Sequence, residues 1–363
     1  MSYKRFIVIS DLHFNDEIVS HMSDELNKFF FPYILENRDN LSALFIAGDL
    51  FDSKISFNSI TSFSVLNFIT KLLRYLKGIP LIILRGTRTH DFSQLDTFKF
   101  LEKKGVTVVN EFEGFEIDGV KILCLPEEYP KKWEEYYNFS KDDHYDMIVM
   151  HGMIDFASHS SGKVESEKEV PSSVVFPSKL LKNLATVTIA GHVHMPMENG
   201  SIYYCSSFTR FCFGEEESKG FIDVKVNPDD NSYKVKRIIN EDAPEYKTVN
   251  LSEIYNPDIT RLAKKVSKIV ENTFSVRINL DMDETNGEEV LSNIAVLREH
   301  FGNTVKFKVM RIKDKKQEEE IPEEVVNILR QKVDVKQMIT DLINQKYPDL
   351  NITLDDVMRI ISK

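Results

Sequence analysis

The sequence predicts an α/β protein with its chemistry at strand ends, and three observations lead there. Short apolar runs rich in β-branched residues recur along the chain. Stretches with helix-like apolar spacing lie between the early runs. Several runs end directly in clusters of Asp and His. Strands alternating with helices give an α/β sheet, and such sheets build their sites beyond the strand ends.

The organising stretch is Ala47-Gly48-Asp49-Leu50-Phe51-Asp52, which follows the apolar run Leu44-Phe45-Ile46. One carboxylate at that rim can offer an oxygen to each of two metal ions. Asp49 is read as that shared residue, with Asp11, His13, His151, His192 and His194 completing a cage.

Taken in order, residues 6–9 are a first strand, with Ser10-Asp11-Leu12-His13 at its end. Residues 16–37 carry helical spacing, 44–47 form a second strand and 58–76 an amphipathic helix. A third strand, 80–84, runs into Arg85-Gly86-Thr87-Arg88-Thr89-His90-Asp91. Residues 106–109, 115–117 and 120–125 read as strands, with Asp118-Gly119 as a hairpin turn. Residues 147–150 lead to His151-Gly152, and the polar stretch 157–173 reads as a mobile loop near the site. Residues 187–190 lead to Gly191-His192-Val193-His194. Strands at 202–205, 221–226 and 233–238 close this part.

A chain of 363 residues exceeds one ordinary core. The expected division is a core over 1–240, a small α+β capping domain over 241–312, a charged linker over 313–321 and helices over 322–363. In the capping domain Lys264, Lys265 and Lys268 share adjoining helical positions. They face either a phosphate backbone or plain solvent. The terminal helices are rich in apolar residues yet too small to bury them alone, so they either pack back on the body or meet a partner protein, the reading preferred here.

A hydrophobic content of 42% with 28% charged residues indicates a soluble globular protein. The net charge of -11 excludes a protein that coats nucleic acid by charge alone. It does not exclude a nuclease, because metal ions supply local positive charge. Cys124, Cys205 and Cys212 form no CxxC pair, which suggests reduced thiols, and Cys205 and Cys212 are read as buried rather than zinc-binding. The apolar run before Asp11 is too short for a signal peptide, and no run approaches the roughly 20 residues that span a bilayer. The cytoplasm is the expected location, with no membrane contact.

Alternate residues on extended backbone point oppositely, so Gly-His-Val-His needs a turn to aim both imidazoles at neighbouring metals. Imidazole and carboxylate ligands without thiolate suit manganese, iron or zinc, and manganese is expected here. Two such ions about 3.5–4 Å apart activate a water and neutralise a phosphoryl oxygen. The reaction expected is in-line hydrolysis of a phosphate ester, without a covalent intermediate.

The order Asp-x-His, Gly-Asp-x-x-Asp, Gly…His-Asp, His-Gly, Gly-His-x-His resembles the calcineurin-like metallophosphoesterases over residues 5–226. That resemblance implies a two-sheet αββα sandwich. Tyr203-Tyr204-Cys205-Ser206-Ser207-Phe208-Thr209-Arg210, with Phe213-Gly214-Glu215 and Lys219-Gly220-Phe221, is similar to the SbcD-type DNA-repair nucleases within that superfamily. The implied protein cuts DNA ends as an exo- and endonuclease in recombination and double-strand-break repair, beside an SbcC-type ABC ATPase bound through the terminal helices. The resemblance implies one metal on Asp11, His13, Asp49 and His194, and another on Asp49, His151 and His192. It implies that His90 protonates the leaving oxygen or steadies the transition state, that Asp91 orients His90, and that Asp52 supports the ligands. Arg210 is a candidate for the same supporting shell or for substrate.

The chain departs from that pattern at Gly86–Asp91, where the family's Asn ligand is missing. Thr89, a backbone carbonyl or water takes its place, and Arg88 is a candidate for a DNA phosphate. The resemblance also implies a homodimer. Phe57, Ile60, Phe63 and Leu66 could offer its surface, but a core face is the reading preferred here. A small-molecule phosphodiesterase or phosphatase, and a scaffold with weak catalysis, are the rival readings.

Overall fold

The computed structural model describes residues 3–56, 58–91, 93–130, 136–140, 142–157, 174–251, 259–270, 275–282, 287–302 and 305–311. The linker over 313–321, the helices over 322–363 and the loop at 158–173 lie outside them. The chain divides into two compact units, one of Met1–Leu280 with Glu288–Val309, the other of Asp281–Gly287 with Met310–Lys363. The site and its supporting layers belong to the first.

The chain begins with β1 (Lys4–Ile9) and a helical stretch in three pieces: α1 (Val19–Glu25), a π-turn (Leu26–Phe30) and α2 (Phe31–Asn37). A single helix was the expectation, and Pro32 explains the break. It has no N–H, and its ring would strike the carbonyl four residues back. The Phe31 N–H reaches back to the Leu26 carbonyl, widening that turn. Next come β2 (Leu41–Ala47), α3 (Ile60–Leu76) and β3 (Leu81–Leu84). Ser59 caps α3 by accepting the Ser62 N–H at 3.1 Å.

A 3-10 helix (Gln94–Lys104) leads into β4 (Val106–Val109), β5 (Glu113–Ile117) and β6 (Val120–Leu125). Asp118 and Gly119 have φ of 52° and 83°, as the two-residue hairpin turn between β5 and β6 requires. β7 (Tyr145–His151), β8 (Met153–Ile154), β9 (Val175–Phe176) and α4 (Ser178–Leu184) follow. β10 (Ala185–Gly191), β11 (Glu198–Asn199), β12 (Ile202–Tyr204), β13 (Gly220–Asn227) and β14 (Ser232–Ile239) complete the two main sheets.

One six-stranded sheet has the order β14-β13-β1-β2-β3-β4, the other β11-β12-β10-β7-β6-β5. β1 to β4 are mutually parallel, as are β6, β7, β10 and β12. Alternation along each strand makes the layers. Ile7, Ile9, Leu44, Ile46, Leu81 and Ile83 pack with Met22, Ile34 and Phe68 of the helices. The alternate residues Phe6, Val8, Phe45 and Ile82 meet Ile122, Met147, Val149 and Ile189 of the second sheet. The outer face of that sheet, with Leu123, Ile148 and Met150, packs on Leu181 and Leu184 of α4. Strands apolar on both faces therefore stack as helix, sheet, sheet, helix, a metallophosphoesterase-type sandwich. Cys124 and Cys205 are buried between the sheets.

Beyond it, β15 (Tyr246–Leu251), α5 (Ile259–Val270), β16 (Ser275–Met282), α6 (Gly287–Phe301) and β17 (Val305–Arg311) form a three-stranded module. Val266, Val276, Ile278, Ile294 and Val305 are its core. Ile60, Phe63 and Leu66 are 62%, 64% and 42% exposed, so they are not a core face, and Phe57 lies outside the described residues. Among the described residues no helix is long and apolar enough to cross a membrane.

Candidate metal centre

The carboxyl ends of parallel strands from both sheets supply the centre. Asp11 and His13 follow β1, Asp49 follows β2, and Thr87 and His90 follow β3. Glu127 follows β6, His151 ends β7, and His192 and His194 follow β10. Asp11, His13, Asp49 and His192 have φ of 52°, 42°, 49° and 92°. Such left-handed backbone costs on the order of 1–3 kcal/mol per residue and persists only where surrounding structure enforces it. Here it turns neighbouring side chains toward one point, as the Gly-His-Val-His spacing demands. Gly48 (φ 85°) and Gly86 leave room for this. A Cβ on Gly48 would lie 2.1 Å from His151 Nδ1, and one on Gly86 would lie 2.2 Å from both the N and Oδ1 of Asp49.

Asp11, His13 and His194 converge as one set of donors, and Asp49, His151 and His192 as another. In the first, His13 Nε2 is 3.0 Å from His194 Nε2 and 4.0 Å from Asp11 Oδ1. In the second, His151 Nε2 is 3.2 Å from Asp49 Oδ2. That same Asp49 oxygen lies 3.7 Å from His13 Nε2. Asp49 thus faces both sets, and all six residues read from the sequence come together.

Hydrogen bonds on the far sides of the rings set the tautomers. His194 Nδ1 lies 3.1 Å from Glu215 Oε1, and His151 Nδ1 lies 2.8 Å from the Ala47 carbonyl oxygen. Both partners are acceptors, so each Nδ1 carries the proton and each Nε2 lone pair points into the centre. Lone pairs and buried carboxylates converging on one place repel unless a cation lies between them. The donor set therefore fits divalent ions.

Burial works against charge in this pocket: it holds His13 well below the usual imidazole value and lowers His192, whereas for Asp49, His151, His194 and Glu215 the neighbours outweigh it. Asp49 is held well below the usual carboxylate range: burial raises it, but the His151 and His13 imidazoles lower it further. His151 is held well above the usual imidazole value: burial lowers it, but Asp49, Asp11 and Glu127 together raise it more. His194 is raised, with burial opposed by Glu215 and Asp11. Glu215 is drawn down to about 2, because His194 and Lys219 outweigh its burial.

The supporting residues divide differently from expectation. Asp91 was expected to orient His90. Instead it is fully buried and accepts N–H bonds from Gly86 (2.7 Å), Asp49 (3.1 Å) and Phe51 (3.2 Å), fixing the loop backbone. The Asp52 carbonyl meets His90 Nδ1, and the Asp52 carboxylate lies 3.7 Å from His13 Nδ1. His90 stands beside the first set, its ring centroid 4.7 Å from that of His13, and it also converges with His13 and Asp49. Arg88 and Thr89 are exposed at the rim. Arg210 donates to the Ala243 and Glu217 carbonyls at 3.0 and 3.1 Å, tying loops together.

Sequence reasoning assigned nothing to Thr87, Glu127, Tyr129 and Glu215. Thr87, not Thr89, turns inward: its Oγ1 is 3.0 Å from Asp49 Oδ2 and 3.0 Å from Glu127 Oε2. The available signal was the strand-end rule itself, since Pro126-Glu127-Glu128 directly follows an apolar run.

The chain belongs to the calcineurin-like phosphoesterase family, whose model matches residues 4–196. Members of this family are metal-dependent phosphoester hydrolases, and the convergent His and Asp groups agree with that class. No curated protein sequence matches the chain. Among solved structures, a protein of unknown function from Aquifex aeolicus is 19% identical and aligns with a TM-score of 0.24, covering 56% of this chain and 89% of its own. A glutamine-dependent NAD+ synthetase from Acinetobacter baumannii, in complex with ADP, is 11% identical with a TM-score of 0.32, covering 94% of this chain and 68% of its own.

Proposed function

We propose that the protein is a two-metal DNA nuclease of the SbcD type. It hydrolyses phosphodiester bonds at DNA ends, in recombination and double-strand-break repair, beside an SbcC-type ATPase in the cytoplasm. The observation that carries the hydrolytic reading is Asp49 Oδ2 facing His151 Nε2 at 3.2 Å and His13 Nε2 at 3.7 Å, with His90 alongside. Divalent ions held there, manganese by preference, would supply the Lewis-acid chemistry of phosphate-ester hydrolysis. Asp11, His13 and His194 would hold one ion and His151 and His192 the other, with the Asp49 carboxylate available to both. His90, with Nδ1 against the Asp52 carbonyl, keeps Nε2 for the leaving oxygen. Asp91 keeps the loop in register.

DNA is favoured over a small ester by the motif likeness and by the added module, where Lys264, Lys265 and Lys268 of α5 are exposed. The ATPase would bind through residues 322–363. A second copy of this chain would cover the α3 face, where Phe63, Leu66 and Phe100 line a groove of about 420 Å³.

The test is digestion of end-labelled DNA with manganese, run beside a chromogenic phosphodiester. Cut DNA is the expected result. Rapid turnover of the small ester with intact DNA would overturn the nuclease reading and leave a small-molecule phosphodiesterase.

A further inference from the structure

We propose that Glu127 is a ligand of the second metal ion, filling the position that the missing amide leaves. This rests on the two-ion reading of the centre and adds a residue to it.

β6, β7 and β10 are adjacent and parallel, and their carboxyl ends deliver Glu127, His151 and His192 side by side. Glu127 Oε2 lies 3.7 Å from His151 Nε2 and 3.5 Å from His192 Nδ1. Those are the ring atoms that face the second position. The other oxygen is already engaged, because the Tyr129 hydroxyl donates to Oε1 at 2.9 Å. That bond aims Oε2 inward. The backbone is fixed as well, since the Glu127 N–H donates to the Arg85 carbonyl at 3.2 Å.

Charge then calls for an ion. Glu127 is 3% exposed and Asp49 is 3% exposed. The Thr87 hydroxyl lies 3.0 Å from an oxygen of each, 3.4 Å from His151 Nε2 and 3.5 Å from His192 Nδ1. A hydroxyl has one proton, so it satisfies only one of the two carboxylate oxygens. A divalent cation on Glu127, Asp49, His151 and His192 satisfies them together, and it gives the second position four protein donors, as the first has. Thr87 becomes a positioning residue that steers both carboxylates. A carboxylate in place of a neutral amide also makes this position harder and more anionic, which favours manganese over softer-ligand metals.

The test uses the full chain, stripped of metal by a chelator and titrated with manganese alone in a calorimeter, with electron paramagnetic resonance of the loaded protein. Wild type is expected to bind two ions and to show the spin-coupled signal of a pair. Glu127→Gln keeps the shape and loses the charge. It is expected to bind one ion as before and the other roughly 10-fold or more weaker, with the pair signal gone. Glu127→Asp, which keeps the charge, gives an intermediate affinity and serves if Glu127→Gln does not fold. Glu128→Gln, whose carboxylate bonds Phe112 N–H and Tyr136 OH instead, behaves as wild type. Two ions bound at wild-type affinity by Glu127→Gln, or by Glu127→Asp where it alone folds, would overturn the assignment. Fewer than two in the wild type would overturn the two-ion reading itself.

Discussion

His90 reaches the centre from the loop that follows β3, Gly86–Asp91. Its Nδ1 proton is committed to the Asp52 carbonyl, so only Nε2 can act on a bound ester. In the proposed role it would give a proton to the leaving oxygen, a contribution of about 10²–10⁴-fold in rate. His90→Ala is therefore expected to lower turnover by that order, while calorimetry still counts two ions. Because His90 also converges with His13 and Asp49, the alternative outcome is defined: loss of an ion along with the rate would make it a ligand. The same scale explains the exchange of roles between Asp91 and Asp52. A fully buried carboxylate beside three unpaired backbone N–H groups bonds those first. That leaves the carbonyl of a half-exposed neighbour to hold the ring.

At the scale of elements, the loop Gly86–Asp91 works because it passes very close to the residues after β2. A Cβ at position 86 would press on the Asp49 amide and carboxylate, both at 2.2 Å. Gly86→Ala is expected to displace the shared carboxylate, weakening both ions and lowering the melting midpoint, with manganese calorimetry as the readout. Unchanged binding of two ions would show that the loop can yield. The strands that carry these loops were legible because each is a short apolar run with a polar cluster behind it. The six cage residues were legible because each sits at such a junction. What the sequence did not disclose depends on which junctions meet. Nothing local in Pro126-Glu127-Glu128 says that β6 lies beside β7, so Glu127 stayed unread. Nothing in Arg85–Asp91 says that Thr87 turns in while Thr89 turns out. The π-turn before Pro32 was hidden for a related reason: apolar spacing locates a helix but does not report how it absorbs a proline.

Across the whole molecule, the stacked layers and the centre have separate origins of stability. The three apolar clusters of the sandwich contain none of the cage residues, whereas the centre concentrates left-handed backbone and the buried carboxylates of Asp11, Asp49 and Glu127. Removing the ions should leave the fold standing but lower its stability, unlike a small domain that folds only around its metal. At an ion concentration 100-fold above Kd, each site adds about 2.7 kcal/mol. Protons compete for the same nitrogens. His151 and His194 are held above the ordinary imidazole value, burial being outweighed by Asp49, Asp11 and Glu127 together for one and by Glu215 and Asp11 for the other. In the metal-free protein both therefore keep their protons to higher pH than a free histidine does. A metal must displace those protons, so its affinity rises with pH and falls as pH drops below the raised values. The rise in Tm that manganese produces is accordingly expected to be larger at pH 8 than at pH 6, and chelated protein at pH 8 should keep its far-ultraviolet dichroism. Equal shifts at the two pH values would mean that these imidazoles do not carry protons in the empty centre. Loss of the dichroism on chelation would mean that the ions hold the sandwich together.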